Sequence, residues 1–431
     1  MPLKIAIVGA GIAGLTAAVS LHESGHSVQI YESSAFAGEV GAALNLTPNG
    51  VRVLQHLGFD FQRARAVQML NWDNVDGVSL TRIACQDVSK AAAIFGAPFF
   101  AVHRVDLHAE LMRLAAARET QGAESTADGE GIVLHLSSPV KQVDAAEGKI
   151  EFVDGTVQYA DLVIGADGLH SVVRKSVVND PVQAKQAPTG QSAFRFLIPT
   201  EVLEASPAGR EILEWKTPGA TLFADTQLKE KERHLMWYPC RDGTVQNFVG
   251  IHPTQEESEA DPDFNALLLR EFGHFDPKVV ETLKLAKETK CWPLFTMNPL
   301  ETWTSGKAVL IGDAAHPMLP FGGQGSNQAI EDGGVLGSIF ADVSDAAGVP
   351  ARLKLFNDIR IRRASRVQIL SSVRANNEHL IQDQLQLYME PGVPVPSSFP
   401  GRIAHDARFD ALAHCREALG NVESKGAAVA V

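Results

Sequence analysis

The sequence predicts an α/β protein in which a parallel, doubly wound sheet is interleaved with a second, mixed sheet and followed by a helical C-terminal region. Near the start, short β-branched runs alternate with helical stretches, as a parallel sheet requires. From about residue 183 to residue 295 the pattern becomes mixed and supplies a second set of short strands. A buried-strand pattern at Lys307–Ile311 then returns the chain to the first sheet.

Composition narrows the classes of partner. The chain has 431 residues, with 38 basic and 51 acidic residues and a net charge of −13, which disfavours nucleic acid or an anionic membrane as the main partner. The four cysteines are scattered, without metal-ligand spacing. No stretch approaches the roughly 20 apolar residues of a membrane helix. We therefore expect a cytoplasmic protein with no metal site and no membrane span.

The first motif is a glycine-rich turn between a strand and a helix. Lys4–Val8 is a buried-strand pattern, and three glycines in G-x-G-x-x-G spacing follow it. Gly9 permits the tight turn, Gly11 lets the backbone approach a pyrophosphate, and Gly14 lets the helix pack closely on the sheet. Glu32 ends the second strand and can accept hydrogen bonds from ribose hydroxyls. The unit predicts a dinucleotide site, and Glu32 favours FAD or NAD over NADP; a chance glycine-rich turn is the alternative.

Two later segments repeat the strand-then-turn pattern. A strand beginning at Asp161 leads into Asp167-Gly168 and the start of a helix, although an Asp-Gly turn followed by a Ser171 cap would look the same. Lys307–Ile311 leads into Gly312-Asp313 and then into a loop rich in proline and glycine before a helix from about Gln328. Asp313 could accept a hydrogen bond from a polyol, and glycines at a helix N-terminus tolerate an anion. Neither segment is specific by itself.

Together, in this order and spacing, the three motifs resemble those of the single-component FAD-dependent aromatic hydroxylases, also called group A flavoprotein monooxygenases. The resemblance runs from residue 3 to about residue 370, and segments 39–50 and 103–107 are similar to those of the salicylate hydroxylase branch. It implies non-covalently bound FAD in a Rossmann-type domain of the p-hydroxybenzoate hydroxylase kind. The chain has no second G-x-G-x-x-G after a strand, which weighs against two-nucleotide disulfide reductases.

The resemblance also implies roles for individual residues. Glu32 would hold the adenosine ribose, Arg104 would lie along the ribityl chain, and Asp313 would hydrogen-bond that chain. The Asp167-Gly168 segment would serve both FAD and the nicotinamide cofactor, and the loop over residues 322–327 would lie beside the pyrimidine side of the isoalloxazine ring. The predicted cofactor-binding residues are Gly9, Gly11, Gly14, Glu32, Ala43, Arg104, Asp167, Asp313, Pro320, Gly323, Gly325, Ser326 and Asn327.

We expect three regions in the chain. The predicted limits are 1–75, 100–182 and 296–345 for a discontinuous FAD-binding domain, 76–99 and 183–295 for a substrate-binding domain, and 346–431 for a C-terminal helical region and tail. Residues 131–167 are typical of an antiparallel meander of short strands. The C-terminal region should be helical to about Met389, where prolines break it.

Two residues of the second sheet are candidates for positioning a substrate. Arg195 lies in an alternating strand, and the resemblance places such an arginine at the substrate cavity, where it could pair with a carboxylate or stabilise a phenolate. A solvated strand arginine is the alternative. Tyr238 could hydrogen-bond a substrate oxygen or only contribute ring surface. His103 and His316 could be acid–base groups or purely structural.

The resemblance implies hydroxylation of a small phenolic or aromatic-acid substrate with NADH or NADPH and O₂, through a flavin C4a-hydroperoxide. The protein would have to exclude water and hold the ring over the flavin. Alternatives within the same fold are an epoxidase and an indole or antibiotic monooxygenase, and a flavin-dependent reductase comes from another class. The sequence leaves open the nicotinamide cofactor and whether the protein is a monomer or a homodimer.

Overall fold

The computed structural model describes residues 1–35, 42–117, 131–178, 180, 182–228, 233–254, 263–374, 377–389 and 392–429. Its strands are β1 (Lys4–Val8), β2 (Ser27–Tyr31), β3 (Ala43–Leu46), β4 (Val67–Gln68), β5 (Asn71–Asp76), β6 (Arg82–Asp87), β7 (Phe100–His103), β8 (Ile132–His135), β9 (Val140–Asp144), β10 (Lys149–Phe152), β11 (Val157–Tyr159), β12 (Leu162–Gly165), β13 (Ala187–Pro199), β14 (Gly219–Ala224), β15 (His234–Cys240), β16 (Val245–Pro253), β17 (Lys290–Thr296), β18 (Thr304–Ser305) and β19 (Ala308–Leu310).

The helices complete a mixed α/β architecture, which confirms the predicted fold class. They are α1 (Ile12–Glu23), α2 (Pro48–His56), α3 (Ala91–Phe95), α4 (Arg104–Ala116), α5 (Arg174–Val177), α6 (Thr200–Ala205), α7 (Pro207–Trp215), α8 (Phe264–Phe272), α9 (Pro277–Leu283), α10 (Gly325–Phe340), α11 (Val349–Leu370), α12 (Gln382–Gln386), α13 (Phe399–Arg408) and α14 (Ala411–Val429). Among the described residues, no helix is both long and apolar enough to cross a membrane.

The first sheet brings the three sequence motifs together. Its six strands follow the order β18-β19-β12-β1-β2-β8, and all neighbours except β18 and β19 pair in parallel. Val8 of β1 is level with Gly165 of β12, which is level with Leu310 of β19. Because each of these strands ends at its motif, all three turns lie at one edge of the sheet. Parallel sheets bind their ligands at this carboxyl edge.

The second sheet has one face in a core and the other face toward the first sheet. Its seven strands follow the order β17-β13-β16-β15-β14-β5-β6. Phe194 and Phe196 of β13 lie in a buried apolar cluster with Leu268 of α8 and Val279 of α9. Because successive side chains of a strand point to opposite faces, Arg195 points away from that cluster. β5 (Asn71–Asp76) belongs to this second sheet and lies at residue 75, where the first segment of the FAD-binding domain was expected to end. The domain limits stay predictions.

The antiparallel meander predicted over 131–167 is confirmed only for its middle strands, β9 to β11. β9, β10 and β11 form a three-stranded antiparallel sheet. β8, however, pairs in parallel with β2, and β12 pairs in parallel with β1 and β19. Short β-branched runs between Gly/Asp turns look alike whether they pair locally or with a distant strand, because the pairing depends on tertiary contacts.

The prediction that helical structure ends near Met389 is wrong. Two further helices follow, and Leu412 and Cys415 of α14 are buried in the main core. Pro400 begins a helix here, since it occupies the first turn of α13, where a missing N–H breaks no hydrogen bond. The Ser398 side chain caps the same helix by accepting a hydrogen bond from Gly401 N at 3.3 Å.

Candidate active site

A cavity of about 690 Å³ lies between the carboxyl edge of the first sheet and one face of the second sheet. Gly11, Arg104 and Asp313 line it from the first sheet, and Arg195 and Tyr238 line it from the second. The structure thus brings together candidate cofactor-binding and substrate-positioning residues that are far apart in the sequence.

The glycine turn after β1 has the geometry that its spacing predicts. Gly9 has φ +103°, and a Cβ there would lie 2.5 Å from the carbonyl oxygen of Ala166. A Cβ on Gly14 would collide with the carbonyl oxygen of Gly9, so the helix can approach the strand only without a side chain. A Cβ on Gly11 would meet nothing within 4 Å. The open space over Gly11, at the N-terminus of α1, suits a pyrophosphate.

Glu32 accepts one hydrogen bond from the glycine turn and one from its own turn. Its Oε2 accepts from Ala10 N, and its Oε1 accepts from Ser34 N, both at 2.8 Å. These bonds fasten the end of β2 to the glycine turn. The carboxylate is partly exposed, and its predicted contact with an adenosine ribose stays a prediction.

The carboxylate of Asp167 holds the turn after β12. It accepts hydrogen bonds from Ser171 Oγ and Val172 N, both at 2.6 Å, and from Val173 N at 3.1 Å. Ser171 Oγ in turn accepts from Arg174 N at 2.9 Å, which is the capping arrangement considered from the sequence. Gly168, with φ +72°, lines the cavity in place of the Asp167 side chain. A direct contact between Asp167 and a cofactor stays a prediction.

Buried Arg174 ties the second motif to the third, a role that the sequence did not reveal. Its Nε donates to Ala314 O at 2.7 Å and its Nη2 donates to Asp313 O at 2.8 Å. Its Nη1 donates to Leu169 O at 2.9 Å. One guanidinium therefore fixes the Asp167-Gly168 turn relative to the Gly312-Asp313 turn.

Asp313 presents its carboxyl to the cavity. Surrounding protein raises its pKa by desolvation, while His316, Arg104 and Arg174 act against that rise. The residue is nonetheless exposed and lines the cavity. The side chains of Asp313 and Arg104 thus face one space, as expected for residues along a polyol chain.

The loop after Asp313 forms another wall of the cavity. Pro320, Gly323, Gly325 and Ser326 line it, and α10 begins at Gly325 with its N-terminus toward the cavity. Asn327 is buried beneath the loop: its Oδ1 accepts from Thr47 N, and its Nδ2 donates to Asn45 O and Gly323 O, all at 2.9 Å. Asn327 therefore shapes the loop, and its contact with FAD stays a prediction.

A buried ionic network supports this loop from behind. Asp332 Oδ2 accepts from Gly312 N at 2.9 Å and from His316 Nε2 at 2.6 Å, and Asp332 Oδ1 accepts from Arg360 Nε at 2.8 Å. Glu331 pairs with Arg360 and, at 3.1 Å, with Arg363. Burial alone would raise the pKa of Glu331, but these arginines hold it at about 2. His316 thus has a structural partner and does not line the cavity.

The face of the second sheet forms the floor of the cavity. Arg195 of β13 is level with Val249 of β16, which is level with Met236 of β15. Met236 is in turn level with Leu222 of β14, and Leu222 with Asn74 of β5. All five side chains line the cavity. Arg195 is therefore the charged end of a largely apolar row.

Arg195 makes no hydrogen bond and no ion pair within the part of the chain that the structure describes. Burial lowers the pKa of its guanidinium, with Tyr238 opposing and Arg104 adding to the effect. Even a half-buried cation without a counter-ion loses part of its hydration. A bound anionic or oxygen-bearing ligand would offset that loss.

Tyr238 has a partner in the protein. Its hydroxyl donates to Ala43 O at 2.8 Å, while Asn247 Oδ1 accepts from Ala43 N at 2.9 Å. The backbone of Ala43 is thus held on both sides by the second sheet. Within the segment 39–50 that resembles the salicylate hydroxylase branch, residues 39–41 lie outside the described residues. The proposed hydrogen bond from Tyr238 to a substrate stays a prediction.

Sequence reasoning missed several residues of the cavity. His234 lies on the same face of β15 as Tyr238, so strand alternation carried the signal. Arg374 lines the cavity with its Cζ 5.5 Å from the centroid of the Phe321 ring. No periodic pattern marks Arg374, because it follows the end of α11. No group of three or more metal-ligating side chains occurs in the residues that the structure describes.

Comparison with known proteins identifies the family. Residues 3–370 match the FAD binding domain family. An FAD-dependent monooxygenase, cfoG of Aspergillus candidus, is 32% identical over 97% of this chain and 95% of its own length. Hispidin-3-hydroxylase of Neonothopanus nambi is 31% identical over 90% of this chain and 91% of its own length. The 3-amino-4-hydroxybenzoate 2-monooxygenase of Streptomyces cremeus is 32% identical over 88% of both chains.

Solved structures agree on the fold. A salicylate hydroxylase in complex with its substrate superimposes with a TM-score of 0.72 at 24% identity, covering 97% of this chain and 98% of that one. HpxO of Klebsiella pneumoniae, complexed with FAD and uric acid, gives a TM-score of 0.71 at 22% identity over 96% and 97% of the two chains. The chain therefore belongs to the FAD binding domain family of FAD-dependent aromatic hydroxylases and is an FAD-dependent monooxygenase.

Proposed function

We propose that the protein hydroxylates a small aromatic substrate bearing a phenolic or acidic group, with NAD(P)H and O₂ as co-substrates. The observation that carries this proposal is Arg195, a half-buried cation that makes no ion pair among the described residues and that opens onto an apolar row. An aromatic ring fits Val249, Met236 and Leu222, and an anionic oxygen fits the guanidinium. Relatives named for hispidin and for an aminohydroxybenzoate support an aromatic substrate.

The residues at the carboxyl edge of the first sheet would hold FAD. Gly11 leaves room for the pyrophosphate, Arg104 and Asp313 flank the space for the ribityl chain, and the loop from Pro320 to Ser326 flanks the ring. When bound, FAD supplies the oxygen-activating redox chemistry that amino-acid side chains cannot perform. The chain's own contribution is to orient the substrate through Arg195 and to exclude water with the apolar floor.

A substrate screen on the FAD-loaded enzyme tests the proposal. Phenols and aromatic acids are supplied with NADH or NADPH, nicotinamide oxidation is followed, and products are identified by mass spectrometry. We expect at least one compound to stimulate nicotinamide oxidation and to gain a ring hydroxyl. An epoxide or a reduced double bond as the only product would contradict ring hydroxylation.

Substitution of Arg195 tests its positioning role. Loss of a charged hydrogen bond should weaken substrate binding by about tenfold to a hundredfold. Arg195→Ala should therefore raise the substrate Kd and release more hydrogen peroxide per nicotinamide oxidised, and Arg195→Lys should recover part of the affinity. Arg362→Ala, on the exposed side of α11, serves as the control. If Arg195→Ala keeps the substrate Kd and the hydrogen peroxide released per nicotinamide of the wild type, Arg195 does not position the substrate.

A further inference from the structure

Part of the cavity wall is formed by residues that lie C-terminal to the segment matching the FAD binding domain family. The match ends at residue 370, yet Arg374, Asn377 and Phe399 line the cavity. The described residues 371–374, 377–389 and 392–409 are called the C-terminal wall below. Its residues face the floor formed by the second sheet, so a substrate lying on the floor would contact both.

The C-terminal wall is attached directly to the loop that flanks the flavin space. Arg402 of α13 is 2% exposed, and its Nη1 donates to Val373 O at 3.0 Å. A Cβ on Gly322 would lie 2.6 Å from Arg402 Nη2, so the arginine packs against the loop where glycine leaves space. The position of α13 is therefore coupled to the shape of the loop.

A second set of contacts fixes the far end of α13. Arg363 of α11 pairs with Asp406 at 3.4 Å and donates to Asp406 O at 3.1 Å. Arg52 of α2 donates to Ala407 O at 3.0 Å. The wall is thus held by α2, α11 and the loop, which makes it a fixed part of the cavity.

Phe399 lies at the first turn of α13 and meets an aromatic residue of the floor. Its ring centroid lies 6.0 Å from that of Trp72, with the planes at 58°. Trp72 belongs to β5, and both rings line the cavity. One ring from the floor and one from the C-terminal wall therefore enclose one side of the cavity, where they can contact an aromatic substrate.

Arg374, in the C-terminal wall, and Arg195, in the floor, lie at different places along the cavity. Arg374 stands over the Phe321 ring, which lies 5.6 Å from the His234 ring. His234 precedes Met236 by two residues on β15, while Arg195 is two strands away from Met236, or about 10 Å at the usual strand spacing. Desolvation, and then Arg374, lower the pKa of His234 well below its ordinary value, which agrees with a neutral imidazole beside the cation.

We propose that the C-terminal wall selects the substrate: Arg374 binds a carboxylate at the end of the aromatic substrate remote from the oxygen at Arg195, and Phe399 with Trp72 covers the ring. The substrate class is accordingly a phenolic aromatic acid with its two oxygen groups at opposite ends. This inference rests on the proposed function, since it assumes that an aromatic compound occupies the floor.

Binding of matched probes to the FAD-loaded protein tests the inference without turnover. The probes are 4-hydroxybenzoate, 4-hydroxycinnamate and the methyl ester of each, and their dissociation constants are measured by flavin difference spectra and calorimetry without nicotinamide. We expect at least one acid to bind more tightly than its ester. Arg374→Gln should weaken that acid by about tenfold or more and should change its ester little, because only the acid carries the charge.

Matched variants separate recognition from folding. Arg374→Lys should recover part of the affinity for the acid, and Arg362→Gln, exposed on α11, should change nothing. Phe399→Ala should weaken acid and ester alike, with Phe399→Leu as a milder variant if α13 is disturbed, as judged by thermal unfolding. The inference is overturned if esters bind as well as acids, if none of the probes binds, or if Arg374→Gln weakens acid and ester equally. Binding that depends on Arg374 without any hydroxylation would instead contradict the proposed function alone.

Discussion

Arg195 and Tyr238 both line the cavity, but only Tyr238 has a partner for its polar group among the described residues. Burial raises the pKa of the Tyr238 hydroxyl, with Arg195 opposing, so the hydroxyl stays protonated and continues to donate to Ala43 O at 2.8 Å. We infer that Tyr238 ties β15 of the second sheet to β3 at the edge of the cavity, whereas Arg195 is available to a ligand.

Tyr238→Phe should therefore change stability more than substrate binding. The variant leaves the buried Ala43 carbonyl without its donor, so the free energy of unfolding should fall by about 1 kcal/mol. The substrate Kd should change by less than about threefold, or roughly 0.7 kcal/mol. Urea unfolding and binding titrations measure the two quantities. Tyr159→Phe, at a residue that is 62% exposed, is the control, and a large rise in Kd at unchanged stability would show that Tyr238 binds the substrate.

At the residue scale, the sequence predicts what depends on local geometry. The turn at Gly9 and the close packing at Gly14 follow from spacing, and the face of Arg195 follows from its place between Phe194 and Phe196. The contacts of Asp167 could not be chosen in advance, because capping and cofactor binding use the same Asp-Gly pattern. Arg374 could not be predicted, since its place depends on where the chain turns after α11.

At the element scale, Arg174 decides how the turns after β12 and β19 meet. Its guanidinium donates to carbonyl oxygens of both turns, among them Asp313 O at 2.8 Å and Leu169 O at 2.9 Å. These bonds hold the backbone at the carboxyl edge of the first sheet, where FAD would lie. Small displacements of this backbone would weaken FAD binding more than they would lower the stability of the protein.

Arg174→Ala should weaken FAD binding. With several hydrogen bonds lost at the cofactor edge, we expect the FAD Kd to rise by about tenfold or more, measured by quenching of flavin fluorescence on titration with apoprotein. Lys175→Ala is the matched control, because Lys175 is the exposed neighbour on α5. An unchanged FAD Kd in Arg174→Ala would show that Arg174 does not shape the FAD site.

The ionic network between α10 and α11 should contribute strongly to stability. Removing one partner of a buried ion pair costs about 3–5 kcal/mol, and Arg360 is fully buried between Glu331 and Asp332. Arg360→Met should lower the free energy of unfolding by about that amount, whereas Arg362→Met on the exposed side of the helix should not. Chemical denaturation of both variants checks this, and equal stabilities would show that the network is dispensable.

Elements with a strong local signal were predicted well, and those defined by distant pairing were not. The strand, turn and helix from Lys4 to Glu23 follow from pattern alone. β8 and β12 were assigned to a meander because their sequences say nothing about the distant partners β2 and β19. α13 was missed because Pro400 was interpreted as a breaker, although proline also begins helices.

At the scale of the whole molecule, buried titratable groups make the free energy of unfolding depend on pH. Burial, partly offset by Glu271, lowers the pKa of His252 to about 4. In the unfolded chain a histidine titrates near its ordinary value of about 6.5. Between these values the unfolded state binds more protons, so stability falls as pH falls through this window.

His252→Gln should reduce this pH dependence. In the wild type, His252 can contribute a slope of at most about 1.4 kcal/mol per pH unit between about pH 6.5 and pH 4. The variant should be less stable at pH 7.5, because the ring stacks on Phe194 at 4.1 Å, but its stability should fall less on acidification. Urea unfolding at several pH values gives both slopes, and parallel curves would show that another group titrates in this window.

In the domain organisation, too, features with a local sequence signal were predictable and features that depend on distant contacts were not. The interleaving of two sheets was predictable, since a strand pattern returned at Lys307 after the mixed segment. The C-terminal wall was not predictable, because the place of α13 depends on its packing against Gly322 and Arg363.

We propose that the two sheets enclose a site where this FAD-dependent monooxygenase adds oxygen to an aromatic ring held by Arg195. Turnover under ¹⁸O₂ with a substrate found in the screen tests it most directly. We expect one ¹⁸O atom in the ring hydroxyl of the product. About one nicotinamide should be oxidised per product in the wild type, and Arg195→Ala should give less product per nicotinamide. A product hydroxyl that takes its oxygen from water, or nicotinamide oxidation that proceeds equally well without substrate and without labelled product, would contradict it.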